Sequence, residues 1–527
     1  MVFGRFPNLL TVAALALGLT GTAQAESVLT VGMTAGDIPV TTGNPDQGFE
    51  GFRFVGYNLY DGLALWDLSS RDNASDIKPG LATSWEIDPN NKRRWIFHLR
   101  EGVKWHDGCP FTADDVVWNM ARVTDPKAPQ YFTQQMALSR AYTTNYESIE
   151  KIDDHTVAIT TKVVESLFPY SMAYTLMISR CKAEALKYDW NAYANDPSGT
   201  GPYRFSRMVA HERLELLPNK TYWDPKRVPH HDKLVLLPMP EAATRAAALM
   251  TGQVNFIEAP SPDTIPRLKS AGMQIVTNKY PHNWPFILNF VRGPMTDIRV
   301  RRAANHALNR SEFVELLNGM AIEGYTTMPP GSPTYGNPMK YEYNPEKAKA
   351  LLKEAGCMPC KLTLAISTSG SGQMQPLPMN ELFKAQLEAV GFQIEFKVMD
   401  WNSLIEIARS GVVKYPDIDG YNGSRGLLDP LSALIKPVWK FHWSPAGANW
   451  GHFFDQGAED LVTEILNEFD GPKRLALLTK LHELHSEKAL MIFVVHDINP
   501  RALSPKLKGF VQAQNWFQDL TPIEVMP

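Results

Sequence analysis

The rhythm of hydrophobic and polar positions changes several times along this chain. In "WIFHLREGVKWHDG" (95–108), Trp95, Phe97 and Leu99 alternate with Ile96, His98 and Arg100, the two-residue period of a strand. Glu101 and Gly102 predict a turn, Val103 and Trp105 resume the alternation, and His106-Asp107-Gly108 predicts a second turn. The period then lengthens: "ADDVVWNMARV" reads as a helix with Thr112 as its cap and Asp115 completing a capping box. Further on, the strand "KLVLLPM", the Ala-rich helix "EAATRAAALMTG" and the strand "VNFIEA" follow one another, with Gly252 where a helix C-cap belongs. "KLTLAIST", "PMNELFKAQLEAVG" and "FQIEFKVMDW" repeat that unit. Such units predict parallel strands joined by helical crossovers, hence α/β lobes. "NPEKAKALLKEAG" is a helix with Asn344 as cap, Pro345 in its first turn and Gly356 as terminator. Between the two sets, "TNKYPHNWPFILNF" is the expected crossing from one lobe to the other.

The N-terminus changes the compartment. Arg5 precedes the apolar run "LLTVAALALGL" (9–19), and Ala23 and Ala25 stand at the small-residue positions of a cleavage site. The run is too short to span a bilayer, which takes about 20 apolar residues. Residues 1–25 are therefore expected to be a cleaved signal peptide, leaving a soluble, exported chain. Without Arg5 the balance is 51 basic against 56 acidic side chains, which excludes a nucleic-acid footprint. About five hundred residues exceed a single core and predict two or three domains.

The four cysteines enter next. Cys357 and Cys360 form "CMPC" after a helix and before a strand, not at a helix start where a thiol is activated. In an oxidising compartment that placement predicts a structural disulfide. Cys109 and Cys181 either pair or stay buried. Enzyme signatures fail one by one. His106 and Asp107 are adjacent, so the aspartate cannot orient that ring as a triad partner would, and no nucleophile accompanies them. "LHELHSEK" spaces His482 and His485 three apart instead of the four of a zinc helix, and two ligands do not complete a site. "NGSRG" misses the spacing of a nucleophile elbow, and "GTGPYRF" lacks the strand–glycine–helix setting of a dinucleotide site. No catalytic residue, metal or cofactor is expected. The remaining unusual feature is "PVWKFHWSPAGANWGHFF", where Trp439, Phe441, Trp443, Trp450, Phe453 and Phe454 are interrupted by Pro445, Gly447 and Gly451. Such rings on a loop either fill a core or line a solute site.

Six segments, in order, resemble the extracellular solute-binding proteins of family 5, the peptide/nickel class that serves ABC importers. They are "LATSWEIDPNNKRRWIFHLREGVKWHDGCPFTADDV", "GTGPYRF", "NKTYWDP", "PEAATRAAALMTGQVNF", "LNFVRGPMTDIRVRRAANHALNR" and "YNPEKAKALLKEAG". The resemblance implies a two-lobed periplasmic-binding-protein fold of the second type with an inserted subdomain and a ligand cleft between lobes. Lobe I would comprise residues 26–60, 198–282 and 490–527, the insert 61–197, and lobe II 283–489. It implies a monomer that binds a small solute and docks on two permease subunits with their ATPases. Many peptide-binding members carry an aspartate a few residues before an Asp-Pro pair to meet the peptide's ammonium group. In "DIDGYNGSRGLLDP" the nearest match is Gly426 beside Arg425, with Asp417 and Asp419 further back. Either Asp419 does that work or the cation site is absent and Arg425 suits an anion. The candidate ligand-binding residues are Tyr57, Trp401, Asp419, Tyr421, Arg425, Trp439, Trp443 and Trp450. A small peptide is the first expectation. An opine, a sugar acid or phosphate, or a metal chelate is the alternative, with a chaperone or hydrolase on the same scaffold behind them.

Overall fold

The computed structural model describes residues 1, 2, 4, 26–279, 282–370 and 372–527; the signal-peptide reading lies outside the described residues. The alternating pattern at 95–105 forms the antiparallel strand Asn91–Leu99, followed by buried Val103 and Trp105. It sits in a four-stranded sheet between Ala82–Asp88 and Thr156–Thr161, with Tyr146–Asp153 at the edge. The helix Ala113–Thr124 starts at the predicted capping box: the Thr112 amide donates to the Asp115 carboxylate at 2.8 Å. His106 stitches the turn to the glycine loop 199–201. Its Nδ1 accepts from the Gly199 amide at 3.2 Å and its Nε2 donates to the Gly201 carbonyl at 3.0 Å. Burial lowers its pKa to about 4, so the ring is neutral and structural.

Two seven-stranded sheets carry the rest. In the first, Val28–Met33 is central and pairs in parallel with Lys233–Pro238 and Phe256–Glu258. The helix Ala242–Met250 joins those two strands, as the helical spacing predicted, and Gly252 follows its end at φ 77°. In the second sheet the parallel pair Cys360–Ser367 and Phe392–Met399 is joined by the helix Pro376–Glu388. His282–Leu288 lies between Gly420–Asn422 and Met491–Asp497 in that sheet. The sequence reading placed 490–527 in lobe I, yet Met491–Asp497 pairs within the second sheet. The chain rejoins the first sheet only at Arg501–Leu503. Its seven consecutive buried residues are those of a strand covered on both faces, and the pairing with His282–Leu288 fixes which sheet it joins.

The chain crosses between the sheets twice, after Val276 and after Asp497. The two connections are bonded to each other through the Asn278 amide and the Ile498 carbonyl at 3.1 Å. Each sheet has its own apolar core, one around Val31, Trp66 and Phe97, the other around Phe286, Leu364 and Phe383. Cross-cleft contacts hold the halves together. The Tyr174 hydroxyl donates to the Asp429 carboxylate at 3.0 Å, and Lys436 donates to the Ala141 carbonyl at 2.8 Å. Disulfides join Cys109 to Cys181 and Cys357 to Cys360; the second closes the gap between the helix Pro345–Glu354 and the strand that begins at Cys360. No helix among the described residues is long and apolar enough to cross a membrane.

Candidate functional site

Three of the residues singled out in the sequence meet at one cavity of about 270 Å³: Tyr421, Arg425 and Trp450. Local structure explains the meeting. Tyr421 sits in the short strand Gly420–Asn422 and Arg425 in Arg425–Gly426, both paired with His282–Leu288, which places both residues beside the central strand of the second sheet. Trp450 arrives on the aromatic loop, and Gly451 lets that loop approach: a Cβ there would stand 1.9 Å from the Leu288 carbonyl oxygen. The Trp450 indole donates to the Ile407 carbonyl at 3.0 Å and meets the Tyr421 ring edge-on at 5.1 Å. Ile405, Ala408 and Arg409 line another wall at i, i+3 and i+4 of the helix Trp401–Ser410. Ala141 enters from the subdomain opposite, so the cavity touches both halves of the molecule.

The electrostatics of this cavity are one-sided. Two arginines line it, and no carboxylate does. Among the described residues, the Arg425 guanidinium has a single hydrogen bond, to the Ser432 carbonyl at 3.3 Å, and no ion pair. Burial pushes its pKa down, and the Tyr421 phenol beside it is the one group that opposes the shift. Burial pushes Tyr421 up to about 12, so it stands as a neutral hydroxyl. Arg409 is exposed at the rim and faces Asp46 and Tyr142 across the cleft, where its charge favours ionised forms of both.

The other sequence candidates fall elsewhere. Tyr57 is buried in the first core, where its hydroxyl donates to the Trp66 carbonyl at 2.7 Å and Arg227 stacks on its ring. Trp401 opens the helix Trp401–Ser410 and packs on Gly370. The Asp419 carboxylate accepts from the Thr363 amide at 2.8 Å, between neighbouring strands. Burial raises its pKa. Trp439 stacks on Phe441 in the core beneath the cavity loop, and Trp443 stacks on His452. Arg409, Ile287 and Phe290 escaped sequence reasoning; the apolar i, i+3, i+4 spacing ending in an arginine was the available signal for the first.

A second, larger cavity of about 570 Å³ lies where Asp76 and Gln514 meet Leu167, Pro330, Leu428 and Arg474. Its walls depend on the two suspected metal histidines. His482 donates through Nδ1 to the Tyr335 carbonyl at 2.8 Å and accepts from the Met328 amide at 3.0 Å. His485 donates to the Leu434 carbonyl at 2.9 Å and meets the Thr327 hydroxyl at 3.0 Å. Both rings are fully engaged as loop anchors. Among the described residues, Asp107, Cys109 and Cys181 come close enough to share a metal, but both sulfurs are in a disulfide and offer no thiolate.

Known proteins place this geometry in context. Residues 76–426 match the family model of bacterial extracellular solute-binding proteins, family 5 Middle. The chain is 28% identical over 466 residues to heme-binding protein A of Haemophilus influenzae, covering 84% of this chain and 83% of that one. It is 26% identical over 505 residues to the dipeptide-binding protein of Escherichia coli, covering 89% and 90%. Among solved structures, the ABC transporter-associated periplasmic binding protein DppA of Helicobacter pylori, in complex with peptide STSA, superposes with a TM-score of 0.80. It is 24% identical, covering 95% of this chain and 98% of that one.

Proposed function

Because the chain belongs to the bacterial extracellular solute-binding proteins of family 5, we propose that it captures a small peptide or peptide-like solute in the periplasm and hands it to an ABC importer. The observation that carries this reading is the cavity at the junction of the halves, with Tyr421, Arg425 and Trp450 on one side and Ala141 on the other. A solute that touches both sides binds the closed form better than the open one and shifts the population toward it. A micromolar affinity is about −8 kcal/mol, enough to close lobes that differ by a few kcal/mol. The closed form, a monomer, then docks on two permease subunits coupled to ATPases, and no bond of the solute is made or broken. Residues 1–25 direct export and are removed. In this reading lobe I is 26–60, 198–282 and 490–527, the insert is 61–197 and lobe II is 283–489. The strand Met491–Asp497 pairs with His282–Leu288.

The dipeptide-binding relative, matched over 89% of this chain, supports a peptide as the cargo. The one-sided charge of the cavity supports a second reading, a non-peptide acid of similar size. The test is titration of the mature chain with di- and tripeptides, followed by tryptophan emission and solution scattering. Saturable binding with compaction, and peptides recovered unchanged by mass spectrometry, is the expected result. Recovery of cleaved peptides would make the protein a hydrolase. Absence of any response across the peptides would reject peptide import.

A further inference from the structure

Building on the solute-binding reading, we infer that the cavity selects an anionic solute, whose carboxylate or other oxyanion sits on Arg425 with Arg409 behind it. Buried arginines elsewhere in the chain are paired or bonded, Arg122 the most sparsely, to the Thr42 carbonyl at 3.1 Å and the Gln135 side-chain oxygen at 3.4 Å. Arg53 is paired with Glu50 and Glu258 at 2.8 and 2.6 Å, and Arg227 with Asp519 at 2.9 Å. Arg245 carries no ion pair but donates to four carbonyls, those of Met239, Pro240, Glu258 and Ala259. Arg310 is likewise bonded to the carbonyls of Gly324, Tyr341 and Phe493. Lys436, on the helical turn after Arg425, has the charges of Asp429 and Glu165 near it. Arg425 has one long bond to one carbonyl and otherwise borders the cavity. A guanidinium offers five donors, and Arg425 is half-buried, so most of them are left free to meet a solute in the cavity.

The surroundings specify what would complete it. The lining contains no carboxylate that could hold a solute's ammonium group, whereas a second arginine stands on the adjacent helix. Asp419, the acidic alternative, accepts the Thr363 amide and does not line the cavity. The other walls include Ile287, Phe290, Tyr421, Trp450 and Met491, which suit an apolar or aromatic body, with Asn449 a polar group among them. The cavity of about 270 Å³ has room for roughly nine waters at ~30 Å³ each. The solute class is therefore a small organic acid or acylated peptide with an apolar body and no required positive charge.

Three forms of one dipeptide separate this inference from the peptide reading. Calorimetric titration compares alanyl-leucine, its N-acetyl derivative (anionic) and its C-terminal amide (cationic). The expected result is that the N-acetyl form binds at least as tightly as the parent and the amide about tenfold or more weakly, the worth of a charge-assisted bond. Arg425→Gln should then erase that difference, and Arg409→Gln, at an exposed position, should reduce it. An amide that binds as well as the parent, with a weakened N-acetyl form, overturns anion selection and leaves peptide import standing. If none of the three binds, peptide import fails, and phenylacetate becomes the deciding probe. Its binding, lost in Arg425→Gln, sustains the inference; its failure to bind overturns it.

Discussion

At the scale of single residues, Arg425 is a half-buried cation that the fold answers sparsely. Among the described residues its guanidinium meets a single carbonyl, at 3.3 Å. Replacing such a group with an apolar side chain of similar length removes a desolvation cost without leaving another charge stranded. Arg425→Met is therefore expected to raise the stability of the solute-free protein by about 1 kcal/mol, measured by urea unfolding. A clear loss of stability would mean that the guanidinium is compensated in the empty state. Position 53 should behave in the opposite way. Arg53 is sandwiched between Glu50 and Glu258, and its removal would strip Glu50 of its buried ion pair and leave Glu258 with Arg501 alone. The two arginines thus serve different ends, Arg53 buried and structural, Arg425 half-buried and held open for a partner. Their sequence surroundings do not reveal which is which.

At the scale of elements, the loop 443–453 decides whether the cavity exists. Its approach to the strand His282–Leu288 depends on Gly451, whose carbonyl accepts the Phe290 amide at 3.0 Å and where a Cβ would stand 1.9 Å from the Leu288 oxygen. Gly451→Ala should lift the loop away and carry Trp450 with it. We expect a stability loss of about 2 kcal/mol, typical of overpacking against rigid backbone. A drop in affinity for any solute that binds this cavity should accompany it. Unchanged melting and affinity would show that the loop has room to spare. The same loop marks the limit of what the sequence makes legible. The alternation at 95–99 and the strand–helix–strand units were readable because each is a local pattern, set by which face of one element is buried. The six rings between 439 and 454 carry no such local rule. Trp439 fills a core, Trp443 stacks on His452 and Trp450 borders the cavity, a difference imposed by Leu288, Ile407 and Tyr421, which lie far off in the chain. The Met491–Asp497 strand was misplaced for the same reason: its apolar run fits either sheet, and only the pairing with His282–Leu288 assigns it.

At the scale of the whole molecule, the packing of histidines fixes how stability responds to acid. Burial lowers the pKa of His106, His231 and His496 to about 4, and of His282 and His485 to about 3. They are spread over both halves: His106 bonds to the 199–201 loop, His231 to the Ile523 carbonyl, His496 to the His282 carbonyl and His485 to the Leu434 carbonyl. An unfolded chain binds protons at these rings near pH 6.5. Between about pH 6.5 and 4 the unfolded state therefore holds more protons than the native one, and stability rises with pH across that window. Acid below pH 6.5 must weaken the fold, and the effect should be nearly absent above pH 7.5. Buried carboxylates add to or offset this as they titrate. Glu258 and Asp519, held below their ordinary range by arginines despite burial, reinforce the loss, while Asp61 and Glu165, raised by burial, oppose it. Near pH 5.5 the histidines dominate, and unfolding should take up roughly two to five protons per molecule. Calorimetry in buffers of different ionisation enthalpy counts them directly. An uptake of zero would mean that these rings are protonated in the native state, and that the hydrogen bonds tying the hinge strands and cavity walls together are made by charged imidazoles.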